Sequence, residues 1–335
     1  MKASLHALLE GIVDYAGLFP PAALPMGEAV AEFARHRGGA RSWMLSSFIC
    51  PARRLREFGD RAEGRIAGGV PWTLSVLGTG GETTDAFLKA AATDRGSIEA
   101  AEVRQPVSAR AFEAPLPPEM ALDRDPSEPA RELVAGVREA FRGSRVSRVF
   151  FEASADRETL DRLFSALAGA ERSFGGGPDP GDAAVESPRP LRVGVKIRTG
   201  GMDPSAVPSV ETVAEFLLAA HAAGLPVKAT AGLHHPLRHD NAGLGGPMHG
   251  FLNVFVGAVL LAARGIGRDD LLAVLRERSA DAFAFDDGGL GFAGMRVETN
   301  DVERARRSAV SFGSCSFREP IEDLESLGLL ERRRL

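Results

Sequence analysis

The chain has 335 residues, 44% of them hydrophobic and 25% charged, as in a globular protein with a large core. Its net charge of −5 argues against a nucleic-acid-binding protein, which usually carries a basic face. The most apolar run, residues 248–263, is too short for a membrane span, and the N-terminus lacks the apolar segment of a signal peptide. Two cysteines provide neither a disulfide framework nor a zinc site, so we expect a cytoplasmic location without membrane or nucleic-acid partners.

Short apolar segments alternate with segments of helical spacing along the whole chain. The predicted strands cover residues 11–22, 42–51, 70–78, 97–106, 147–154, 191–201, 226–236 and 309–320. The predicted helices cover residues 26–37, 52–62, 83–94, 129–143, 157–174, 209–224, 250–265, 267–278, 300–309 and 321–330. Eight strand–helix alternations predict an α/β fold, a (β/α)8 TIM barrel forming a single domain over residues 1–335. A doubly wound open sheet is the alternative, but no glycine-rich nucleotide-binding motif (GxGxxG or GxxxxGK[ST]) supports it.

Three insertions interrupt the predicted barrel. Residues 105–130 are rich in proline and acidic residues and predict a long loop, a type that is often functional. Residues 175–190 are rich in glycine and proline and predict an irregular segment. Residues 283–297 alternate around a DDGG turn and predict a hairpin. At the helix ends, Gly224 is expected to be a C-cap and Asn300 an N-cap.

The positions of the lysines are informative because lysine is rare in this chain. The chain has four lysines against 36 arginines, and Lys196 and Lys228 fall 32 residues apart in the predicted sixth and seventh strands. This spacing fits a strand, a crossover helix and a parallel neighbour, which would place both amines near the same end of strands about 5 Å apart. Arginine stays protonated, whereas a desolvated lysine can become a nucleophilic amine. Two snorkelling or ion-paired lysines are the structural alternative.

In a barrel of this type the active groups gather at the carboxyl ends of the strands. Tyr15 is the only tyrosine, and its hydroxyl is either a substrate contact or the polar end of a half-buried aromatic side chain. Cys50 and Cys315 are expected to be small buried residues rather than nucleophiles. The predicted rim contains Asp14, Tyr15, Cys50, Glu102, Glu152, Lys196, Arg198, Lys228, His234, His235 and residues 312–316.

These strand ends resemble those of deoxyribose-phosphate aldolase and the wider class I aldolase barrels. That family carries K-x-x-T-G on its sixth strand, a second lysine before glycines on the seventh, and an F-G-[AS]-S-S-like end on the eighth. The matching segments here read KIRTGG (196–201), KATAGL (228–233) and SFGSCSF (311–317), and SSFICPARRLREF (46–58) is similar to the family's second strand. DYAGLFPPA, KATAGLHHP and MHGFLNV also resemble motifs of a bacterial family whose function is not assigned.

The resemblance implies a lyase of carbohydrate metabolism in which Lys196 forms a Schiff base and Lys228 is the second lysine. Two neighbouring ammonium groups repel and burial disfavours charge, so we expect one amine to be neutral near pH 7. An imine then serves as an electron sink. The family also has an aspartate on its fourth strand for proton transfer, and the nearest candidate is Glu102, with Asp14 and Glu152 as alternatives.

The resemblance further implies a phosphate site, because backbone N–H groups at glycine-rich strand ends can bind an anion. The substrate would be a small carbonyl compound or sugar phosphate, no cofactor is required, and a homodimer is possible. Tight turns at the rim are the structural alternative for the glycines. The candidate substrate- or phosphate-binding residues are Arg198, Thr199, Gly200, Gly201, Gly232, His234, His235, Gly313, Ser314, Ser316 and Tyr15.

Two departures from the aldolase pattern keep other functions open. The seventh strand continues into His234-His235-Pro236, and the chain is longer than that family's, so a changed substrate or chemistry is expected. A metal-dependent lyase or hydrolase would use a divalent metal at His234, His239 and His249, although adjacent strand residues point to opposite faces and HExxH is lacking. A non-catalytic metabolite-binding barrel is the third alternative.

Overall fold

The structure, a computed structural model, describes residues 1–66, 70–175 and 191–332. Eight of its strands form a closed parallel barrel in the order β1-β13-β7-β6-β5-β4-β3-β2, which confirms the predicted TIM-barrel fold. The strands are β1 (Val13–Tyr15), β2 (Leu45–Pro51), β3 (Trp72–Leu77), β4 (Val107–Pro115), β5 (Arg148–Glu152), β6 (Arg192–Arg198), β7 (Val227–Thr230), β8 (His239–Asn241), β9 (Gly246–Met248), β10 (Phe283–Phe285), β11 (Gly289–Phe292), β12 (Met295–Glu298) and β13 (Ala309–Ser314).

Helices connect the barrel strands and cover the outside of the barrel. They are α1 (Ala3–Leu9), α2 (Met26–Arg37), α3 (Leu55–Ala62), α4 (Thr84–Arg104), α5 (Glu119–Leu122), α6 (Ser127–Ala140), α7 (Arg157–Ser173), α8 (Val210–Ala223), α9 (Phe251–Arg264), α10 (Arg268–Arg276), α11 (Thr299–Ala305) and α12 (Arg318–Ser326). Within the three described ranges, no helix combines the length and the apolar character needed to cross a membrane.

Strand β1 shows how the barrel sorts its side chains. Asp14 points into the barrel, where it contacts Lys228, and the next residue points outward. That residue, Tyr15, packs against Phe33 of α2, with ring centroids 6.1 Å apart. The alternation therefore separates a polar interior layer at this end of the barrel from the aromatic packing between strands and helices.

The fourth strand lies later in the chain than the sequence analysis predicted. Residues 97–106 belong largely to α4, whose buried residues Phe87, Ala91, Ile98 and Ala101 recur at helical intervals of three, four or seven residues. The actual fourth strand, β4, contains Arg110 and Glu113, and these charges hid its apolar pattern. The predicted loop over 105–130 was therefore wrong, because it contains both β4 and α5.

The other insertions and helix ends differ from prediction in smaller ways. Residues 283–298 form the three-stranded antiparallel sheet β10-β11-β12 rather than one hairpin. Strands β8 and β9 pair as an unpredicted hairpin after β7, and α1 was also missed. Helix α11 begins at Thr299 with Glu298 as N-cap, so Asn300 is not the cap, whereas Gly224 caps α8 as expected. Almost all of the predicted insertion at 175–190 lies outside the described residues.

The loops that follow β6 and β7 touch each other through glycine. Gly232 has a φ of +78°, and a Cβ atom placed on it would lie 2.9 Å from the Cα of Gly200. The Thr199 hydroxyl donates a hydrogen bond of 2.5 Å to the Ala231 carbonyl oxygen and also lies 3.2 Å from the Thr230 carbonyl oxygen. These contacts fix the carboxyl ends of the two lysine strands side by side.

Replacing Gly232 with alanine should destabilise the protein through both backbone strain and steric overlap. We expect a loss of about 2–4 kcal/mol in the free energy of unfolding, measured by urea denaturation. Gly143→Ala is the matched control, because Gly143 has a φ of +71° but open space around its Cβ position. It should cost only about 1 kcal/mol. Equal losses in the two variants would show that the contact between the loops is unimportant.

Candidate active site

The two lysines lie directly opposite each other on neighbouring strands. Lys196 of β6 and Lys228 of β7 are register partners in the parallel pair. Both are buried, with exposed fractions of 5% and 2%. The sequence-based prediction that the lysines occupy matched positions on adjacent strands is therefore confirmed, and the question becomes what each amine contacts.

The Lys196 amine lies between two carboxylates. Its Nζ is 3.0 Å from Oε2 of Glu113 on β4 and 3.0 Å from Oε2 of Glu152 on β5. On the far side of Glu152, Oε1 lies 3.4 Å from Nε of Arg198, whose side chain is about half exposed. The row Glu113–Lys196–Glu152–Arg198 thus runs from the barrel interior toward solvent with charges of alternating sign.

The Lys228 amine lies deeper and is also surrounded by carboxylates. Its Nζ is 2.9 Å from Oδ2 of Asp14 on β1 and is paired with Oε1 of Glu113. It donates a hydrogen bond of 3.0 Å to Oγ of Ser75 on β3, whose hydroxyl in turn donates to Glu113. Asp14 also accepts hydrogen bonds from Ser311 Oγ at 2.5 Å and from the Ser47 backbone N–H at 3.1 Å.

These contacts determine the charge states of the buried Lys228 and Glu113 side chains. Burial alone would lower the pKa of Lys228, but the Asp14 and Glu113 carboxylates outweigh burial and raise it. Burial would likewise raise the pKa of Glu113, but the two ammonium groups and Ser75 lower it to about 2. The expectation that repulsion between the lysines makes one amine neutral is therefore wrong for Lys228, because carboxylates separate the two amines.

A cavity of about 640 Å³ opens above this network at the carboxyl ends of the barrel strands. The described residues that line it include Lys196 but not Lys228 or Asp14. Its walls are mostly apolar, as in small-molecule sites generally. The apolar wall includes Phe19, Pro20, Pro21, Ile49, Leu77, Met202, Leu244 and Met248, and the polar lining includes Glu113, Glu152, Lys196, Arg198, Thr230, His234, Asn241 and Cys315.

Glu102 neither contacts the two lysines nor lines the cavity. It lies on α4, and its Oε1 accepts a hydrogen bond of 2.8 Å from the Ala109 backbone N–H near the start of β4. The fourth-strand acid is Glu113, which sequence reasoning missed because the strand was placed too early. Its signal was an acidic residue between Phe112 and Ala114, a buried charge in an otherwise apolar strand end. Asp14 and Glu152, the two alternatives, are both brought to the lysines.

Only some of the predicted substrate- or phosphate-binding residues reach the cavity. Thr199 and Gly200 take part in the contact between the β6 and β7 loops. Nδ1 of His235 lies 2.5 Å from Oδ2 of Asp323. Ser314 donates its hydroxyl to the Ser316 carbonyl at 2.7 Å. Five members line the cavity: Arg198, Gly201, Gly232, His234 and Gly313.

Tyr15 and Cys50 are also removed from the cavity. Tyr15 packs between the barrel and α2, where burial and then Glu32 raise the pKa of its hydroxyl. Cys50 is fully buried on β2, and burial raises the pKa of its thiol to about 12, which disfavours the nucleophilic thiolate. Both therefore fit the structural alternatives that their sequence context left open.

The three histidines considered as metal ligands, His234, His239 and His249, contact different groups. His239 Nδ1 lies 3.0 Å from the Leu237 carbonyl, and His249 Nε2 lies 2.8 Å from the Pro208 carbonyl. His234 Nδ1 lies 2.9 Å from Oε2 of Glu319, and its Nε2 lies 3.8 Å from the Cys315 sulfur. In the described part of the chain, no group of three or more His, Cys, Asp or Glu side chains could hold a metal ion.

No protein-family model and no curated protein matches the chain. Barrels of this fold are most often enzymes, with the active groups at the carboxyl ends of the strands. The cavity that contains Lys196 lies at those ends.

Neutralising Glu113 should strongly destabilise the barrel. Glu113→Gln leaves two buried ammonium groups with one carboxylate fewer, and breaking such a buried pair typically costs about 3–5 kcal/mol. The free energy of unfolding in urea measures the loss. Glu139→Gln on α6 is the control, since Glu139 pairs with Arg142 and both side chains are exposed, so it should change stability by less than about 1 kcal/mol. A Glu113→Gln loss as small as the control's would contradict the network.

The same carboxylate predicts a specific dependence on pH. The folded-state pKa of Glu113, about 2, lies below its ordinary value of 4.5, so the unfolded chain binds the proton at higher pH. The contribution of Glu113, about 3 kcal/mol at neutral pH, should therefore fade as the pH falls from 4.5 toward 2. Urea unfolding of wild type and Glu113→Gln across this range should show their stability difference shrinking. A constant difference would contradict the depressed pKa.

Proposed function

We propose that this protein is a lyase of the class I aldolase type, which binds a small carbonyl compound as an imine on Lys196. One observation carries the proposal: a buried amine on the wall of a cavity contacts two carboxylates, with a second lysine directly behind them. An amine so placed can attack a carbonyl carbon, with a proton acceptor already in contact.

The two lysines differ in ways that support Lys196 as the nucleophile. Lys196 lines the cavity, whereas Lys228 lies beneath it and is held as an ammonium by Asp14 and Glu113. Lys228 also lies 5.8 Å from the ring centroid of Phe150, which favours its charged form. Its positive charge keeps Glu113 ionised and so fixes the electrostatic environment of the reacting amine.

The two carboxylates that contact Lys196 also differ. Before attack, the ammonium of Lys196 must give up a proton, and Glu113 is a poor acceptor because its pKa is about 2. Glu152 has 23% of its side chain exposed against 1% for Glu113, so it can exchange protons with solvent. We therefore assign proton transfer to Glu152 and electrostatic support to Glu113.

Lys196 and Glu152 together account for the proton transfers and bond changes of the reaction. Lys196 Nζ bonds to the carbonyl carbon, and protonation of the resulting hydroxyl by Glu152 releases water and leaves an iminium ion. Glu152, again a carboxylate, takes the proton of a hydroxyl two carbons from the iminium carbon. The C–C bond between the hydroxyl-bearing carbon and the carbon next to the iminium carbon breaks, and its electron pair enters the iminium to give an enamine. The hydroxyl-bearing carbon leaves as an aldehyde or ketone. Reprotonation and hydrolysis of the enamine release the second product.

The cavity limits the substrate to a small carbonyl compound or sugar. Its volume of about 640 Å³ and largely apolar wall suit a compact molecule. Arg198 at the mouth can bind a phosphate or carboxylate on the substrate, because its guanidinium is half exposed and, within the described part of the chain, makes only the 3.4 Å contact with Glu152. Gly201 and Gly232 line the cavity nearby, so their backbone N–H groups are candidate donors to such an anion.

Borohydride trapping tests the assignment directly. Wild-type protein is incubated with a panel of small aldehydes and ketones, reduced, and examined by intact and peptide mass spectrometry. We expect a stable adduct on Lys196, and at least about tenfold less adduct in Lys196→Met, since that variant lacks the reactive amine. Lys89→Met is the matched control because Lys89 is an exposed lysine on α4, 75% exposed, and should label like wild type.

The other outcomes are equally informative. An adduct on Lys228 alone would reverse the roles of the two lysines. Labelling of Lys89 at the same rate as Lys196 would show that the amine has no special reactivity. No adduct with any carbonyl would contradict the imine mechanism and favour a barrel that binds a metabolite without reacting with it.

A further inference from the structure

A second cavity lies against the β8–β9 hairpin and is lined by arginines. Its volume is about 680 Å³, and Leu244 and Met248 of the hairpin line both this cavity and the one that contains Lys196. Three arginines line the second cavity: Arg238, just before β8, Arg276, at the end of α10, and Arg278. We call it the arginine pocket.

The charges of the arginine pocket do not balance. Arg276 pairs with Glu211, and Arg278 makes a two-pronged contact with Asp240, with N–O distances of 2.7 Å and 2.9 Å. Three guanidinium groups thus face two carboxylates, and the third, Arg238, makes no side-chain hydrogen bond or ion pair among the described residues. The pocket therefore carries one positive charge without a contacting counter-ion.

One guanidinium nitrogen of Arg238 is also shielded from solvent. Its Nη1 atom is buried and has no hydrogen-bond partner in the described ranges. Burial, followed by the neighbouring charge of Arg278, lowers the pKa of its guanidinium, which is the direction expected for a cation short of counter-charge. A buried donor without a partner is unfavourable, and in a native structure it commonly marks a site for water or an ion.

We propose that the arginine pocket binds an oxyanion, either a phosphate or a small polycarboxylate, through Arg238 and Arg276. Planar guanidinium groups bind both kinds of anion by paired hydrogen bonds, and an anion in the pocket would supply the counter-charge that the Arg238 side chain lacks. The anion is either a free ligand or a charged group on the substrate of the neighbouring cavity, because the hairpin is the wall between them. This site is separate from Arg198 and from the strand-end glycines.

Calorimetric titration of the full chain with inorganic pyrophosphate and with citrate tests the proposal. Wild type should show saturable binding to at least one of the two, and Arg238→Gln should weaken it by about tenfold or more, since a charged two-pronged contact is lost. Arg264→Gln is the control, because Arg264 is an exposed residue at the end of α9, outside both cavities, and should bind as wild type. Calorimetry does not require imine formation, so failure here and failure of the lyase proposal are distinguishable.

Thermal unfolding separates lost binding from lost folding. In buffer without oxyanions, Arg238→Gln should melt no lower than wild type, because it removes a half-buried cation whose side chain makes no ion pair among the described residues. Added pyrophosphate or citrate should raise the melting temperature of wild type but not of Arg238→Gln. Arg276→Gln is the second variant and should also bind more weakly. It should fold, because Glu211, its partner, lies in the first turn of α8, where negative charge is favourable.

The source of the anion follows from the trapping reaction, using glyceraldehyde and its 3-phosphate as probes. If Arg238→Gln lowers trapping of the phosphorylated aldehyde alone, the pocket binds part of the substrate. If pyrophosphate alters trapping of glyceraldehyde in wild type but not in Arg238→Gln, the pocket binds a separate effector. Absence of saturable binding to either titrant below about 10 mM, or unchanged binding by both Arg238→Gln and Arg276→Gln, would overturn the proposal.

Discussion

The ion pairs of Glu113 with two lysines organise the interior of this barrel. Each carboxylate oxygen contacts a different amine, one from β6 and one from β7. Charges buried this deeply are tolerated only when they are paired and hydrogen-bonded throughout. The surrounding strands meet that requirement, and every one of the eight supplies a group. In order of the chain these are Asp14, the Ser47 N–H, Ser75, Glu113, Glu152, Lys196, Lys228 and Ser311.

We call these eight groups the polar ring. Their positions depend on the register of the barrel strands. Side chains alternate between the interior and the helices, so a shift of one residue in any strand would replace a ring member by an outward-facing neighbour. On β1 that shift would exchange Asp14 for Tyr15, which packs against α2. The closed barrel therefore fixes the position of the Lys196 amine, and loops such as that of Gly232 shape the space above it.

Much of the barrel, but less of the site, could be predicted from the sequence. The lysines were identifiable because this chain uses arginine almost everywhere else, so a lysine inside a strand indicates a special need. Glu113 was missed for a physical reason: its buried charge breaks the apolar pattern by which strands are recognised, whereas α4 residues such as Ile98 resemble a strand locally. Likewise, the pairings of His234 with Glu319 and of Arg278 with Asp240 join residues 85 and 38 positions apart, and only the tertiary structure shows them.

The polar ring is hard to explain by stability alone. The interior layers of such barrels are usually filled by branched apolar side chains, and replacing buried ion pairs with apolar residues of similar size is often neutral or stabilising. Five buried or half-buried charges at and beneath the cavity floor are therefore an energetically unfavourable way to fill a barrel interior. Groups whose pKa values are displaced by specific charge partners, as those of Glu113 and Lys228 are, concentrate at functional sites. The ring is therefore consistent with the role proposed for Lys196, which is the lysine that this costly arrangement leaves in contact with the cavity.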